Sequence, residues 1–241
     1  MTSSTQLPTT PTGRLGNSAD PKDASLQVEH PLRVRVKICG ITSPEDAEAA
    51  IAAGADALGF NTWQGSRRYL DLDTAAEWIS TLPTFVTRVA LCVNTPLEQA
   101  QRLAALPCLD ALQFHGDESH EYCALFAGLG RPFIRAVRLG AAHELGGLIQ
   151  WSTRQLLVDA AVPGAYGGTG CSADLALAAE AVAGFPRLSV TLAGGLEPDN
   201  VAAAVRRVRP YAVDVASGVE SAPGKKDAGK MRAFVQAVLG A

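Results

Sequence analysis

Residues 34–54, VRVKICGITSPEDAEAAIAAG, decide the fold, because a short strand runs straight into a helix. Val34, Val36 and Ile38 alternate with Arg35, Lys37 and Cys39, the period of two that marks a strand with unlike faces. Ser43-Pro44-Glu45-Asp46 follows as a helix opening: a cap, a proline preset for the first turn, and acid beside the positive end of the helix dipole. The same rhythm repeats along the chain. Runs at 57–60, 87–93, 110–114, 132–138, 155–160, 189–194 and 212–217 join 34–39 to make eight predicted strands, separated by Ala-rich helical stretches. Thr95-Pro96-Leu97-Glu98 and Glu197-Pro198-Asp199 repeat the helix opening, while Gly146 and Gly147 weaken the helix expected near 141–149. Eight βα units suit an α/β protein closed as a (β/α)8 TIM barrel, since an open doubly wound sheet usually has fewer strands.

Residues 32–241 are assigned to one barrel domain. Residues 1–31 are rich in Ser, Thr, Pro, Gly and Asp with few clustered apolar side chains, and read as a disordered N-terminal extension that buries too little surface to offset its ordering entropy. Their Ser/Thr content suggests a transit peptide, but Asp20, Asp23 and Glu29 count against one. With 47% hydrophobic residues the chain can bury a sizeable core, and a net charge of -3 leaves no positive excess for nucleic acid or an anionic membrane. The five cysteines are odd in number and scattered, without a CxxC pair or zinc-ligand spacing. A reduced, cytoplasmic protein without a metal is therefore expected, and no apolar run approaches the roughly 20 residues that span a bilayer.

Barrel enzymes carry their chemistry at the C-terminal ends of the strands. Cys39, Asn61, Asn94, His115, Arg138, Asp159, Gly194-Gly195 and Ser217-Gly218 all fall at or just past those ends. Parity turns Arg35, Lys37 and Cys39 of the first strand inward, and Asp159 of the sixth, with Leu156 and Val158 outward. Closure adds a further expectation. The eighth strand must pair with the first, with Ala212, Asp214 and Ala216 inward, so Lys37 and Asp214 should meet across the seam as a buried ion pair.

The runs VKICGIT (36–42), GADALGF (54–60), QFHGDES (113–119), LLVDAAVPGAYGGTG (156–170), LAGGLEPDNV (192–201) and VDVASGVESAPGKKD (213–227) together resemble the phosphoribosylanthranilate isomerase family, in order, across residues 34–239. The resemblance implies isomerisation of N-(5-phosphoribosyl)anthranilate to 1-(2-carboxyphenylamino)-1-deoxyribulose 5-phosphate, an Amadori rearrangement of tryptophan biosynthesis. It implies a small phosphosugar substrate and no metal or organic cofactor. It also implies Cys39 in KICG as general base, Asp159 in LLVDA as general acid, and Arg68 in SRRY as the contact to the anthranilate carboxylate. The adjacent Arg67 keeps that last choice open between two residues. The chain departs from the family pattern in NTWQGSRRYL, where an aromatic-Pro-Lys-Ser run is common, in Cys171–Leu175 after GGTG, and at Ala216, where the family has Ser.

The chemistry suits these residue types. Ring opening needs a proton delivered to the ribose oxygen, and a proton must then leave C2. A carboxyl partly desolvated in a barrel mouth has the raised pKa of an acid, and a thiol becomes a base where cations or amides stabilise its thiolate. Lys37 shares the Cys39 strand face. Phosphate belongs at the loops after strands seven and eight, where Gly194, Gly195, Ser217 and Gly218 offer backbone amides, with Gly168 of the sixth loop alongside. Gln113 and His115 share a strand face and are expected to shape the pocket.

Plainer readings compete. A strand-end Cys is usually a small buried hydrophobe, the role kept for Cys92, Cys108, Cys123 and Cys171. Asp159 is as readily a loop cap and His115 a structural histidine, while Arg67 and Arg68 suit a solvated pair. Trp63, Trp78 and Trp151 read as packing groups, with Trp63 in reach of the anthranilate ring. Rival functions are another phosphosugar barrel and a non-catalytic phospholigand module. The histidine-pathway isomerase resembles a two-Asp mechanism where this chain has Cys39, indole-glycerol-phosphate synthase leans on Lys and Glu, and a binding module would drift at the acid and base.

Overall fold

The computed structural model describes residues 33–159 and 173–241. The readings of 1–31, of Gly168 and of Cys171 fall outside those residues. Eight parallel strands close into a barrel: β1 (Arg35–Cys39), β2 (Ala57–Asn61), β3 (Thr87–Cys92), β4 (Ala111–Phe114), β5 (Phe133–Arg138), β6 (Gln155–Asp159), β7 (Ser189–Leu192) and β8 (Ala212–Val215). The seam closes by pairing β8 with β1, Arg35 opposite Ala212 and Lys37 opposite Asp214. Every predicted strand is present. Strands β7 and β8 stop short of their expected ends, because positive φ at Gly194 and Gly195 (86° and 62°) and a 3-10 turn over Ser217–Val219 lead the chain out of the sheet.

The outer ring holds α1 (Pro44–Ala53), α2 (Leu72–Ser80), α3 (Leu97–Ala105), α4 (His120–Gly128), α5 (Leu175–Gly184), α6 (Val201–Val208) and α7 (Ala228–Leu239). A hairpin of β9 (Glu220–Ala222) and β10 (Lys225–Lys226) follows β8. Helix α1 opens as its sequence suggests, with Ser43 Oγ accepting the Asp46 N–H at 3.2 Å. Two other openings differ. Pro96 rather than Thr95 takes the cap position of α3; the Thr95 side chain is buried and hydrogen-bonds the Cys92 thiol, while its carbonyl accepts the Tyr122 hydroxyl at 2.8 Å. Residues 197–200 form a turn ahead of α6, where Asn200 Oδ1 accepts the Glu197 N–H at 2.8 Å. In the fifth unit a 3-10 segment, Ala142–Gln150, stands where the sequence reading placed its weakest helix.

The strand faces follow parity. Val36, Ile38, Leu58, Phe60, Leu156, Val158, Val213 and Val215 pack outward against the helices in one continuous apolar layer, each fully buried side chain contributing about 1.5–3 kcal/mol. Inside the barrel sit two smaller clusters, Cys39 with Leu91 and Val93, and Ala136 with Leu157 and Ala193. Among the described residues, these side chains fill the barrel interior, and cavities lie at its ends.

Candidate active site

At the C-terminal end of the barrel a cavity of about 210 Å³ is lined by Cys39, Asn61, Trp63, Arg67, Arg68, Leu91, His115, Asp159, Gly194, Gly195, Asp214 and Ser217, among others. Strand β1 thus presents Cys39, and β6 presents Asp159, to one space. Beneath Cys39, Lys37 Nζ donates to Asp214 Oδ1 at 2.6 Å, the ion pair expected from closure. Glycine at 59 makes room for this group. A Cβ there would stand 2.7 Å from Cys39 Sγ and 3.0 Å from Lys37 Nζ.

Burial pushes the Cys39 thiol above its ordinary value; Lys37 and Lys226 pull it down and Asp214 pushes it back up. Burial works against the Lys37 charge too, but Asp214 and Cys39 outweigh it and the ammonium is pushed up to about 12. Lys37 thus acts on the Cys39 thiol in the direction its place on the shared strand face suggests, while burial is the largest influence. The Lys37 ammonium is shared between Asp214 and the thiol.

Arg68 reaches over Gly40 and is clamped: Nε and Nη2 donate to the two carboxylate oxygens of Glu220 at 2.7 and 2.8 Å. Lys226 Nζ donates to Glu220 Oε1 at 2.9 Å and to the Ala216 carbonyl at 3.1 Å. Burial alone would raise Glu220, but the Arg68 and Lys226 partners win and hold its carboxyl below the usual range. Neither Glu220 nor Lys226 was given a role from sequence. Both stand in the quoted run 213–227, but nothing local shows that the acid meets an arginine from the second loop. Arg67 also lines the cavity and is exposed.

His115 Nε2 lies 3.1 Å from Asp159 Oδ2, and its Nδ1 lies 2.8 Å from the Gln113 amide nitrogen. Gln113 is fully buried and meets the site through His115 rather than by lining the cavity. Gly194, Gly195 and Ser217 reach the cavity from the loops after β7 and β8. Gly218 stands in an adjoining cleft with Lys230, its backbone packed on the Leu196 carbonyl where a Cβ would collide. Cys92, Cys108 and Cys123 are buried packing groups. Trp63 is on the cavity wall, whereas Trp78 packs on Phe60 and Trp151 lies under Arg135. Among the described residues there is no cluster of three His, Cys, Asp or Glu placed to hold a metal, and no helix is long and apolar enough to cross a membrane.

A closed parallel barrel with a thiol, a carboxyl and an arginine at one mouth defines a TIM-barrel enzyme equipped for acid–base work. The family model for N-(5'phosphoribosyl)anthranilate (PRA) isomerase matches residues 36–237. The N-(5'-phosphoribosyl)anthranilate isomerase of Magnetococcus marinus is 49% identical over 207 residues, which cover 86% of this chain and 96% of that relative. Its counterpart in Acidithiobacillus ferrooxidans is 48% identical over 210 residues, covering 86% and 98%. The solved phosphoribosyl anthranilate isomerase of Thermotoga maritima superposes with a TM-score of 0.76 at 37% identity, over 86% of this chain and 100% of that one. A phosphoribosyl anthranilate isomerase in complex with reduced 1-(o-carboxyphenylamino)-1-deoxyribulose 5-phosphate gives 0.73 at 36% identity, over 86% and 100%. This chain belongs to the N-(5'-phosphoribosyl)anthranilate isomerase family, and it is an isomerase.

Proposed function

We propose that this isomerase converts N-(5-phosphoribosyl)anthranilate to 1-(2-carboxyphenylamino)-1-deoxyribulose 5-phosphate in tryptophan biosynthesis, with Asp159 as general acid and Cys39 as general base. The observation that carries the assignment of roles is the cavity shared by Cys39, Asp159, Arg68 and the glycine loop of 194–195. Asp159 gives a proton to the ribose ring oxygen while the anilinic nitrogen opens the C1–O bond and forms an iminium. Cys39, as thiolate, takes the C2 proton, and the resulting enolamine tautomerises to the ketone. Arg68, fixed by Glu220 through Nε and Nη2, offers Nη1 to the anthranilate carboxylate, with Arg67 beside it. The phosphate goes to Gly194, Gly195 and Ser217, with Gly218 as a neighbouring donor, where its binding energy orients the sugar.

The barrel domain over 32–241 carries this chemistry, with 1–31 as an extension outside it. A thiol base must stay reduced, which favours the cytoplasm as its place of action. The test is a fluorescence assay of phosphoribosylanthranilate consumption. Cys39→Ser and Asp159→Asn are each expected to lower kcat about 100- to 10,000-fold. A parent protein without turnover overturns the substrate assignment, and a fully active variant overturns the role of the residue it replaces.

A further inference from the structure

We propose that Gln113 is a positioning residue that keeps His115 neutral, with its proton on Nε2, so that Asp159 can hold the proton it delivers. The inference rests on Asp159 being the general acid. Strand β4 turns Gln113 and His115 to the same inward face, and both are buried. The Gln113 amide nitrogen stands 2.8 Å from His115 Nδ1, and His115 Nε2 stands 3.1 Å from Asp159 Oδ2. A ring nitrogen that faces an NH2 group must accept, so Nδ1 is bare and the proton of the neutral ring sits on Nε2. Turning the amide over would put Oε1 against Nδ1 and bury the NH2 group in its place. In the orientation present, Oε1 is the atom without a partner among the described residues. A buried acceptor lacking a partner is better tolerated than buried N–H groups lacking theirs, which favours the arrangement found.

The consequence is chemical. A second proton on His115 would have to sit on Nδ1, where the Gln113 N–H already points, so the imidazolium is refused. An imidazolium beside Asp159 would hold the carboxyl ionised, the wrong form for a proton donor. Neutral Nε2–H instead occupies Oδ2 and leaves the transferable proton on Oδ1. When the Oδ1–H bond breaks and the proton passes to the ribose oxygen, the same Nε2–H stabilises the carboxylate left behind. Other charges face this pair: Cys39 and the Lys37–Asp214 pair from β1 and β8, Arg67 and Arg68 from the second loop, and Arg138 from β5. Arg138 Nη2 donates to the His115 carbonyl at 3.1 Å and Nη1 meets Asp117 at 3.5 Å. None of these bonds Nδ1, so the tautomer is set by Gln113.

Gln113→Glu tests the idea by placing an acceptor where the donor stands, which invites a proton onto Nδ1. The alkaline limb of the kcat profile, where the acid loses its proton, is expected to move down by about one to three pH units. Gln113→Met, close in size and without the donor, is expected to move it less. Nitrogen-15 NMR of histidine-labelled parent protein, assigned with a His115→Asn variant, should show the Nε2–H tautomer of a neutral ring. An Nδ1–H tautomer in the parent, or a limb unmoved in both Gln113 variants while their thermal midpoints fall, overturns the proposal. Because the parent spectrum needs no substitution at 113, a Gln113→Glu that fails to fold leaves the question decidable. Normal turnover by Asp159→Asn would remove the acid role itself, whereas an inactive Asp159→Asn with an unmoved Gln113→Glu limb removes only the positioning role.

Discussion

Two buried ion pairs stand on opposite sides of the barrel wall. Lys37–Asp214, at 2.6 Å, points into the barrel beneath Cys39, and Arg135–Glu118, at 2.8 Å, lies outside it between β5 and the loop after β4. All four side chains are nearly out of reach of water. The outer pair is rich in partners. Glu118 also accepts the amides of Asn94 and Gly116 at 2.8 and 2.9 Å, while Arg135 donates to the Phe114 and Gly116 carbonyls at 3.1 Å and lies 4.6 Å over Trp151. The inner pair shares its space with a thiol. Lys37 and Asp214 pull the Cys39 titration in opposite directions. The same kind of interaction thus ties loops together in one place and adjusts a titrating group in the other, according to what else lies in the low-dielectric space around it.

The largest effect expected from breaking this comparison is at the inner pair. Asp214→Asn leaves the Lys37 ammonium buried without its counterion, and stability should fall by about 3–5 kcal/mol in urea unfolding. A loss below about 1 kcal/mol would mean that Lys37 finds another partner or water. Glu118→Gln should cost less, about 1–3 kcal/mol, because Arg135 keeps two carbonyls and the Trp151 face. Its kcat should stay at the parent value, since the outer pair touches no wall of the cavity, and an altered kcat would show that the two pairs communicate.

The smallest expected effect sharpens the contrast most. Asp214 raises the Cys39 titration, so its removal should lower it. The inflection of Cys39 alkylation with pH should move down in Asp214→Asn and stay in place in Glu118→Gln, with Cys39→Ser giving the background of the other thiols. Inflections that move equally in both variants would dissolve the distinction between the pairs.

Much of this arrangement is legible before any coordinates. Alternation of Val36 and Ile38 with Lys37 and Cys39 places the thiol inside, and closure of eight strands puts Asp214 opposite Lys37. Other features are not legible. Glu220 and Arg68 come from distant loops, and only their side-chain geometry shows that the arginine is held from behind. Gln113 reads as a pocket residue from its strand face, yet its amide stops at His115. Thr95 has the chemistry of a helix cap, yet its side chain is buried and hydrogen-bonds the Cys92 thiol, and Pro96 takes the cap position.

The sequence by itself determined the order of strands and helices, the face of each strand that turns inward and the residues gathered at the C-terminal mouth. Periodicity, caps and closure are local rules that repeat along the chain, so they can be read without a partner in view. Only the tertiary structure decided that Glu220 clamps Arg68 and that the His115 ring meets Asp159. Protonation inside a barrel depends on burial and on charges a few ångströms away, and those neighbours come from strands and loops far apart in the chain.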